Sequence, residues 1–250
     1  MINKIISGGQ TGADRAALDV AIEMGITHGG WIPQGRRTED GRLPELYRLK
    51  ETKSIDYAQR TELNIVDSEG TLIASHGKLE GGSALTQKMA AKHGRPCLHM
   101  DLNELEIDTA AEVVSSWLEA REIRTLNVAG PRASEDSAIY EAMERLLKAV
   151  LKRYLPKTVE EAVERLLAEI PLKNKTAISR MGKEDLVSLH FRLGQFVLRR
   201  FGLWSGNADL MASCREVSGE ADLHEDGASV LIIEELWRRL RETHGLRPVE

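Results

Sequence analysis

The first fifteen residues constrain the fold of this chain more than any other stretch. Residues 4–15 read KIISGGQTGADR, a short apolar strand followed by a glycine-rich turn and the opening of an amphipathic helix. Glycines let a ligand approach the backbone, and the unpaired N–H groups of a first helical turn attract anions. The stretch therefore predicts a phosphate-binding turn. It is also compatible with a purely structural turn in which Thr11 and Asp14 form a capping box.

The same strand–turn–helix pattern recurs twice. A buried strand at residues 71–75 leads through glycines into a helix, and a strand at residues 124–130 leads into a helix predicted over residues 134–152. Strands that alternate with helices over residues 1–153 predict an α/β fold with a doubly wound, Rossmann-like parallel sheet. Because the carboxyl ends of parallel strands share one edge, the three turns are expected to converge on one ligand.

The predicted ligand contacts lie at these turns and in the arginine-rich loop after the second strand. Backbone N–H groups are expected to cradle phosphate, hydroxyl groups to donate hydrogen bonds, and an arginine to neutralise charge. The alternative for the arginine-rich loop is a mobile, solvated segment. The predicted set is Gly8, Gly9, Gln10, Thr11, Gly12, Asp14, Arg36, Gly81, Gly82, Ser83, Thr86, Gly130, Pro131, Arg132 and Ser134.

The pattern changes after residue 153. Thr158 opens a capping box, and residues 158–170, 183–201 and 226–244 carry apolar side chains at helical spacing. Residues 158–250 are therefore expected to form a small all-helical accessory domain of three to five helices. Its aromatic residues are expected to belong to a core rather than to a cofactor site.

Charge and composition argue against several classes of function. A net charge of -5 and a pI near 5.9 do not favour nucleic-acid binding, and no apolar run approaches the roughly 18 residues that cross a bilayer. Two cysteines without paired spacing indicate neither zinc nor a secreted disulfide framework, so a cytoplasmic protein without a metal is predicted. As an alternative, Cys97 and His99 share a strand face and could ligate a metal with His76 or His28, although a buried strand cysteine is usually core.

Four motifs occur in order over the first 150 residues: GGQTGAD, WIP followed by Gly35 and Arg36, GGSALT, and NVAGPRAS. In these motifs the chain resembles the putative molybdenum carrier family, which is similar to the Rossmann-like group of lysine-decarboxylase-like proteins and Lonely-Guy-type phosphoribohydrolases. The resemblance implies a cytoplasmic homo-oligomer that binds a small phosphorylated ligand, either a nucleotide or a pterin phosphate such as the molybdenum cofactor. The helical tail resembles an uncharacterised bacterial domain, which implies no function.

One departure from the hydrolases of that group affects catalysis. Those enzymes carry Pro-Gly-Gly-x-Gly-Thr-x-x-Glu, and the Glu acts at the ribose. The corresponding run here is EGGSALTQK, with Gln87 and Lys88 where that Glu is expected. Neutral Gln cannot stabilise the oxocarbenium-like centre of glycosidic cleavage. Asp14, Asp40 or Glu80 could substitute from other loops.

The sequence therefore leaves three functions open. The first is a binding or carrier protein for a phosphorylated small ligand, either the molybdenum cofactor or a nucleotide. The second is a nucleotide-processing hydrolase that cleaves an N-glycosidic bond. The third is a nucleotide sensor in which ligand binding in the sheet domain changes the contacts of the helical domain.

Overall fold

The computed structural model describes residues 2–244. The chain divides after Tyr154 into two compact units. In chain order the first unit contains β1 (Lys4–Ile6), α1 (Ala13–Glu23), β2 (Thr27–Gly29), β3 (Trp31–Ile32), β4 (Arg37–Thr38), β5 (Gly41–Arg42), β6 (Lys50–Glu51), α2 (Tyr57–Val66), β7 (Gly70–Ser75), α3 (Gly81–Lys92), β8 (Cys97–Asp101), α4 (Ile107–Ala120), β9 (Thr125–Ala129) and α5 (Ile139–Lys152).

The first unit is built on a five-stranded sheet in the order β2-β1-β9-β7-β8, with every neighbouring pair parallel. All six residues of β7 are buried, as expected for a strand in the interior of a parallel sheet. Helix α5 buries one apolar stripe, formed by Ile139, Met143, Leu146, Leu147 and Val150. The predicted α/β, Rossmann-like fold is confirmed.

Residues 27–32, which the sequence predicts as one short strand, are divided in the structure. The chain breaks at Gly30, which has φ 134° and where a Cβ would lie 2.1 Å from the carbonyl oxygen of Ser7. Strand β3 then pairs with β6, and β4 and β5 form a separate antiparallel hairpin. This hairpin, residues 37–42, lies in the arginine-rich loop.

Helix α5 begins at Ile139, not near Ser134 as the sequence predicts. The intervening residues form turns in which the N–H groups of Glu135 and Asp136 both donate to the carbonyl oxygen of Arg132. The Asp136 carboxylate then accepts the N–H of Ala138. The third predicted turn is therefore a longer loop, and its N–H groups do not belong to a first helical turn.

In the second unit, as far as residue 244, all regular secondary structure is helical. It contains α6 (Val159–Glu169), α7 (Leu172–Ser179), a 3-10 turn (Lys183–Asp185), α8 (Leu186–Leu189), a π-helical turn (His190–Gly194), α9 (Gln195–Arg200), α10 (Ala208–Ser218) and α11 (Glu225–His244).

The second unit has its own hydrophobic core. Leu166, Phe201, Cys214 and Leu236 are among its fully or almost fully buried members. At the N-terminus of α6 the Thr158 hydroxyl oxygen accepts the N–H of Glu161, the first half of the predicted capping box. A helical region after the sheet domain is thus confirmed. Because residues 183–200 are helical without a break, the unit has five separate helical segments as far as residue 244, within the predicted three to five. None of the described helices combines the length and the apolar character needed to cross a membrane.

Candidate functional site

Three turns meet at the carboxyl edge of the sheet. The strand order places β9 between β1 and β7, so the β9–α5 loop lies between the β1–α1 turn and the β7–α3 turn. Two distinct polar sites flank this loop. One lies on the β1 side, and the other is a cavity on the β7 side.

The β1–α1 turn uses its own donors internally. The N–H of Gln10 donates to Asp14 Oδ2 at 3.3 Å, and the N–H of Thr11 donates to Gln10 Oε1 at 3.1 Å. The N–H of Ala13 donates to the carbonyl oxygen of Pro131 at 3.2 Å. The helix begins after Gly12 without a side-chain cap, so the alternative capping box of Thr11 and Asp14 is absent. This turn is therefore less open to an anion than its sequence suggests.

Asp14 is 4% exposed and lies against Arg60, with 3.4 Å between Oδ2 and Nη1. Burial raises the pKa of Asp14, and the Arg60 guanidinium and the N–H of Gln10 offset this only in part. The guanidinium fills the space over Gly8, where a Cβ would lie 1.8 Å from Arg60 Nη1. Gly8 therefore makes room for Arg60, a residue that the sequence analysis did not identify.

Two buried donors in this cluster have no protein acceptor within residues 2–244. They are Gln10 Nε2 and Arg60 Nε. Arg132 lies nearby, with its guanidinium 5.0 Å from the centre of the Tyr57 ring. The β1 side of the crevice thus combines a buried carboxylate with two arginines and a polar amide.

The β7–α3 turn is open. A Cβ at Gly81 or Gly82 would meet no atom within 4 Å, and the N-cap residue Glu80 makes no side-chain cap bond. The first N–H groups of α3 have no acceptor within the helix. Ser83 is 5% exposed, and its hydroxyl makes no hydrogen bond with any described residue. The predicted contact Thr86 differs, because its hydroxyl donates to the carbonyl oxygen of Gly82 at 2.9 Å.

This turn opens into a cavity of about 690 Å³. Lys78 contributes a positive charge to its wall, whereas Glu80, Glu135 and Asp136 contribute carboxylates. Because the wall carries three carboxylates and one lysine, it would repel the several negative charges of a polyphosphate, and a single phosphate at the helix end is favoured. The lining residues are Ser75, His76, Lys78, Leu79, Glu80, Gly81, Ser83, Pro131, Glu135, Asp136 and Ser137.

A histidine–aspartate pair stands in the wall of this cavity. His76 Nδ1 lies 2.7 Å from Asp136 Oδ2, and Asp136 Oδ1 accepts the N–H of Ala138 at 3.0 Å. A carboxylate partner favours the tautomer with the proton on Nδ1 and leaves Nε2 as an acceptor. From the sequence His76 is a candidate only as a metal ligand, although its place directly after β7 is a usual position for a functional residue.

On the β1 side, the carboxylate of Glu39 occupies a cradle of donors. Glu39 lies between β4 and β5 and accepts hydrogen bonds from the Thr11 hydroxyl and from both the N–H and the hydroxyl of Ser134. Its partial desolvation raises the pKa, but the hydrogen bonds from Ser134 and Thr11 and the nearby Arg132 outweigh this and lower the pKa overall. Glu39 was not predicted as a site residue.

Arg36 has a different role from the predicted one. It is 4% exposed, and its guanidinium donates to the carbonyl oxygens of Leu43, Pro44, Tyr47 and Leu49 at 2.7–3.1 Å. These four bonds use the donors that a ligand phosphate would need. Arg36 therefore holds the loop together, and the arginines that face the crevice are Arg60 and Arg132.

The weaker candidates are dispersed. Asp40 pairs with Arg15 at 3.3 Å and accepts from Thr38, so it lies in the hairpin rather than in the cavity. His99 Nε2 lies 2.8 Å from Ser75 Oγ. Burial raises the pKa of the Cys97 thiol to about 11, which fits a core cysteine. Within residues 2–244 no group of three His, Cys, Asp or Glu side chains is arranged to hold a metal.

Comparisons with known proteins agree with the motifs. Residues 5–151 match the model of the circularly permutated YpsA SLOG family, and residues 155–240 match a domain of unknown function, DUF6794. The crystal structure of a "putative molybdenum carrier protein" from Syntrophus aciditrophicus SB is similar at 55% identity and a TM-score of 0.60. That match covers 60% of this chain and 95% of that chain. No curated protein matches. The resemblance to the molybdenum carrier family is confirmed.

Proposed function

We propose, from the premise that this chain belongs through residues 5–151 to the circularly permutated YpsA SLOG family, that it binds a small phosphorylated ligand in the cavity at the β7–α3 turn. The observation that carries the proposal is the open N-terminus of α3, where Gly81 and the buried Ser83 line the cavity and a Cβ at Gly81 or Gly82 would meet no atom within 4 Å. A phosphate at this position would accept the first N–H groups of the helix and benefit from its dipole. Lys78 adds a positive charge.

The other residues that line the cavity indicate which groups the ligand carries besides its phosphate. Carboxylates such as those of Glu80 and Glu135 accept hydrogen bonds and favour amino or hydroxyl groups. Nucleotides and pterin phosphates both combine such groups with a phosphate. The cavity volume of about 690 Å³ falls within the usual range for small-molecule sites, roughly 300–1,000 Å³. We infer two candidate ligands. One is the molybdenum cofactor, carried as cargo, because the Syntrophus protein is described as a "putative molybdenum carrier protein". The other is a nucleoside monophosphate.

A pair of variants at Gly82 tests the proposal. Gly82→Asp places a carboxylate in the first turn of α3, between Gly81 and Ser83, which line the cavity, and in space that no atom occupies, so its charge repels an anion at the helix end. The expected result is loss of AMP and inorganic phosphate binding by about tenfold to a hundredfold, since a charge-assisted hydrogen bond contributes about 1.5–3 kcal/mol. The melting temperature should not fall, because an acidic residue stabilises the first turn of a helix.

Gly82→Ala is the matched control, since it fills the same space without charge and should retain most of the affinity. Lys78→Gln should weaken binding, whereas Lys88→Gln, an exposed lysine on α3, should not. Isothermal titration calorimetry measures all four variants. The proposal is wrong if Gly82→Asp binds as tightly as the wild type.

Hydrolysis of a nucleotide is a second candidate function, favoured by the His76–Asp136 pair in the cavity wall. An Nδ1-bonded histidine can take a proton from water at Nε2. Glu80 lies in the same cavity and is the predicted catalytic carboxylate that best fits this role. Release of free base from a panel of nucleoside monophosphates, abolished by both His76→Gln and Glu80→Gln, would support it. If no nucleotide in the panel is hydrolysed, the hydrolase hypothesis is wrong and the binding function remains.

A further inference from the structure

We propose that Glu39 is an internal substitute for an anionic group of the ligand. In this view the donors of Thr11 and Ser134 form a second anion subsite, which Glu39 fills in the ligand-free protein and vacates when a phosphate-type anion binds. The subsite lies on the β1 side of the β9–α5 loop, opposite the cavity on the β7 side. The inference rests on the proposed function in that it assumes a phosphorylated ligand.

The donors of the cradle point at the Glu39 carboxylate from two separate turns. Oε1 accepts from the Thr11 hydroxyl and from the N–H of Ser134, which is 3.2 Å away, and Oε2 accepts from the Ser134 hydroxyl. The N–H of Ala133 donates to Thr11 Oγ1 at 3.2 Å. This bond occupies a lone pair of Thr11 and orients its proton toward the anion. Two hydroxyls and a backbone N–H fit a phosphate as well as they fit a carboxylate.

The charges near the cradle also favour an anion there. Arg132 attracts the Glu39 carboxylate, and its guanidinium is held over the Tyr57 ring. Asp14, a buried acidic group that also interacts with Arg132, already pairs with Arg60. Departure of Glu39 would therefore remove one counter-charge of Arg132, and an incoming anion would restore it.

The hairpin that carries Glu39 is held at its tip by polar contacts. The N–H of Glu39 donates to Gln10 Oε1 at 2.8 Å, and Asp40 pairs with Arg15. Residues 39–42 are exposed, and a Cβ at Gly41 would meet no atom within 4 Å. The tip can therefore leave without uncovering apolar surface, because water can replace these polar contacts.

The base of the hairpin is anchored separately. Buried Leu43 packs in a small core with Leu18, Ile32 and Leu49, and Arg36 bonds the carbonyl oxygens of the same loop. Movement of Glu39 is thus confined to residues 37–42, which pivot on a fixed base. The ligand's anion and the Glu39 carboxylate compete for the same donors.

The test uses the full chain and the variant Glu39→Gln, which keeps the shape of the side chain and removes its charge. If Glu39 fills the subsite about 90% of the time, removal of its charge should tighten the binding of inorganic phosphate at this subsite about tenfold. Glu45→Gln is the control, because it makes the same charge change in the same loop outside the cradle. In the wild type, ligand binding should also speed amide hydrogen exchange at Glu39, whose N–H is bonded to Gln10.

Inorganic phosphate separates this inference from the function proposed above. In a Gly82→Asp background the added carboxylate weakens anion binding at the N-terminus of α3, and the added Glu39→Gln should restore binding of inorganic phosphate at the second subsite. If Gly82→Asp weakens the binding of inorganic phosphate and the added Glu39→Gln restores none of it, the cavity proposal holds and the Glu39 inference is wrong. If phosphate binds only after Glu39→Gln, and equally well with and without Gly82→Asp, the second subsite holds and the cavity proposal fails.

Discussion

At the residue scale, Asp14 makes the stability of the fold depend on pH. Burial raises its pKa, and the Arg60 guanidinium 3.4 Å away offsets this only in part. A carboxyl group whose folded pKa exceeds its unfolded value stabilises the fold below the unfolded pKa, near 3.8, and this stability is lost as pH rises through the folded pKa. We therefore expect the free energy of unfolding of the wild type, relative to Asp14→Asn, to fall between acidic and neutral pH. Urea unfolding at a series of pH values measures this difference.

Asp40→Asn is the control of opposite sign. The Thr38 hydroxyl bond lowers the pKa of Asp40, with help from Arg15, so its contribution is present at neutral pH and lost as pH falls through the lowered pKa. Its side chain is 51% exposed, so solvent screening keeps the effect small. If the free energies of unfolding of the wild type and of Asp14→Asn changed with pH in the same way, burial would not raise the pKa of the Asp14 carboxyl.

At the scale of elements, Gly12 joins the β1–α1 turn to the β9–α5 loop. It has φ +73°, and a Cβ there would lie 2.5 Å from the carbonyl oxygen of Pro131, which accepts the N–H of Ala13. Gly12→Ala should lower the free energy of unfolding by about 2 kcal/mol or more, because backbone strain adds to the loss of this contact. Gly82→Ala, which has open space and helical geometry, should change stability little or raise it slightly. Equal effects in thermal denaturation would contradict the assigned role of Gly12.

The elements differ in how far the sequence predicts them. Strand β7 and helix α5 follow from buried apolar runs and a regular stripe, since burial and periodicity are local signals. The start of α5 does not, because Ser134 resembles an N-cap but its N–H and hydroxyl bond Glu39, 95 residues away in the chain. Arg60 likewise lies on a helix with mixed local signals, and its partner Asp14 comes from α1. The glycine turns could be predicted, but the side chains that fill them come from distant segments.

At the scale of the whole molecule, the sheet unit and the helical unit have separate cores. The core of the helical unit is formed by residues between Val159 and Leu240, whereas the proposed ligand contacts lie before Tyr154. The division at Tyr154 also falls close to the end of the family match at residue 151. We therefore propose that the sheet unit is the complete binding module and that the helical unit has a separate role.

Removal of residues 155–250 tests this division. We expect residues 1–154 to fold alone, because 95% of the Syntrophus chain is matched by only 60% of this one, so a much shorter chain carries the same fold. The truncated protein should bind AMP within about threefold of the full chain, a difference of about 0.7 kcal/mol, and Gly82→Asp should weaken binding to the same extent in both. A folded truncated protein whose affinity changes more than about tenfold would instead favour the sensor hypothesis. Coupling between sites is reciprocal, so ligand binding would then also alter the helical unit, which hydrogen exchange of the full chain would detect.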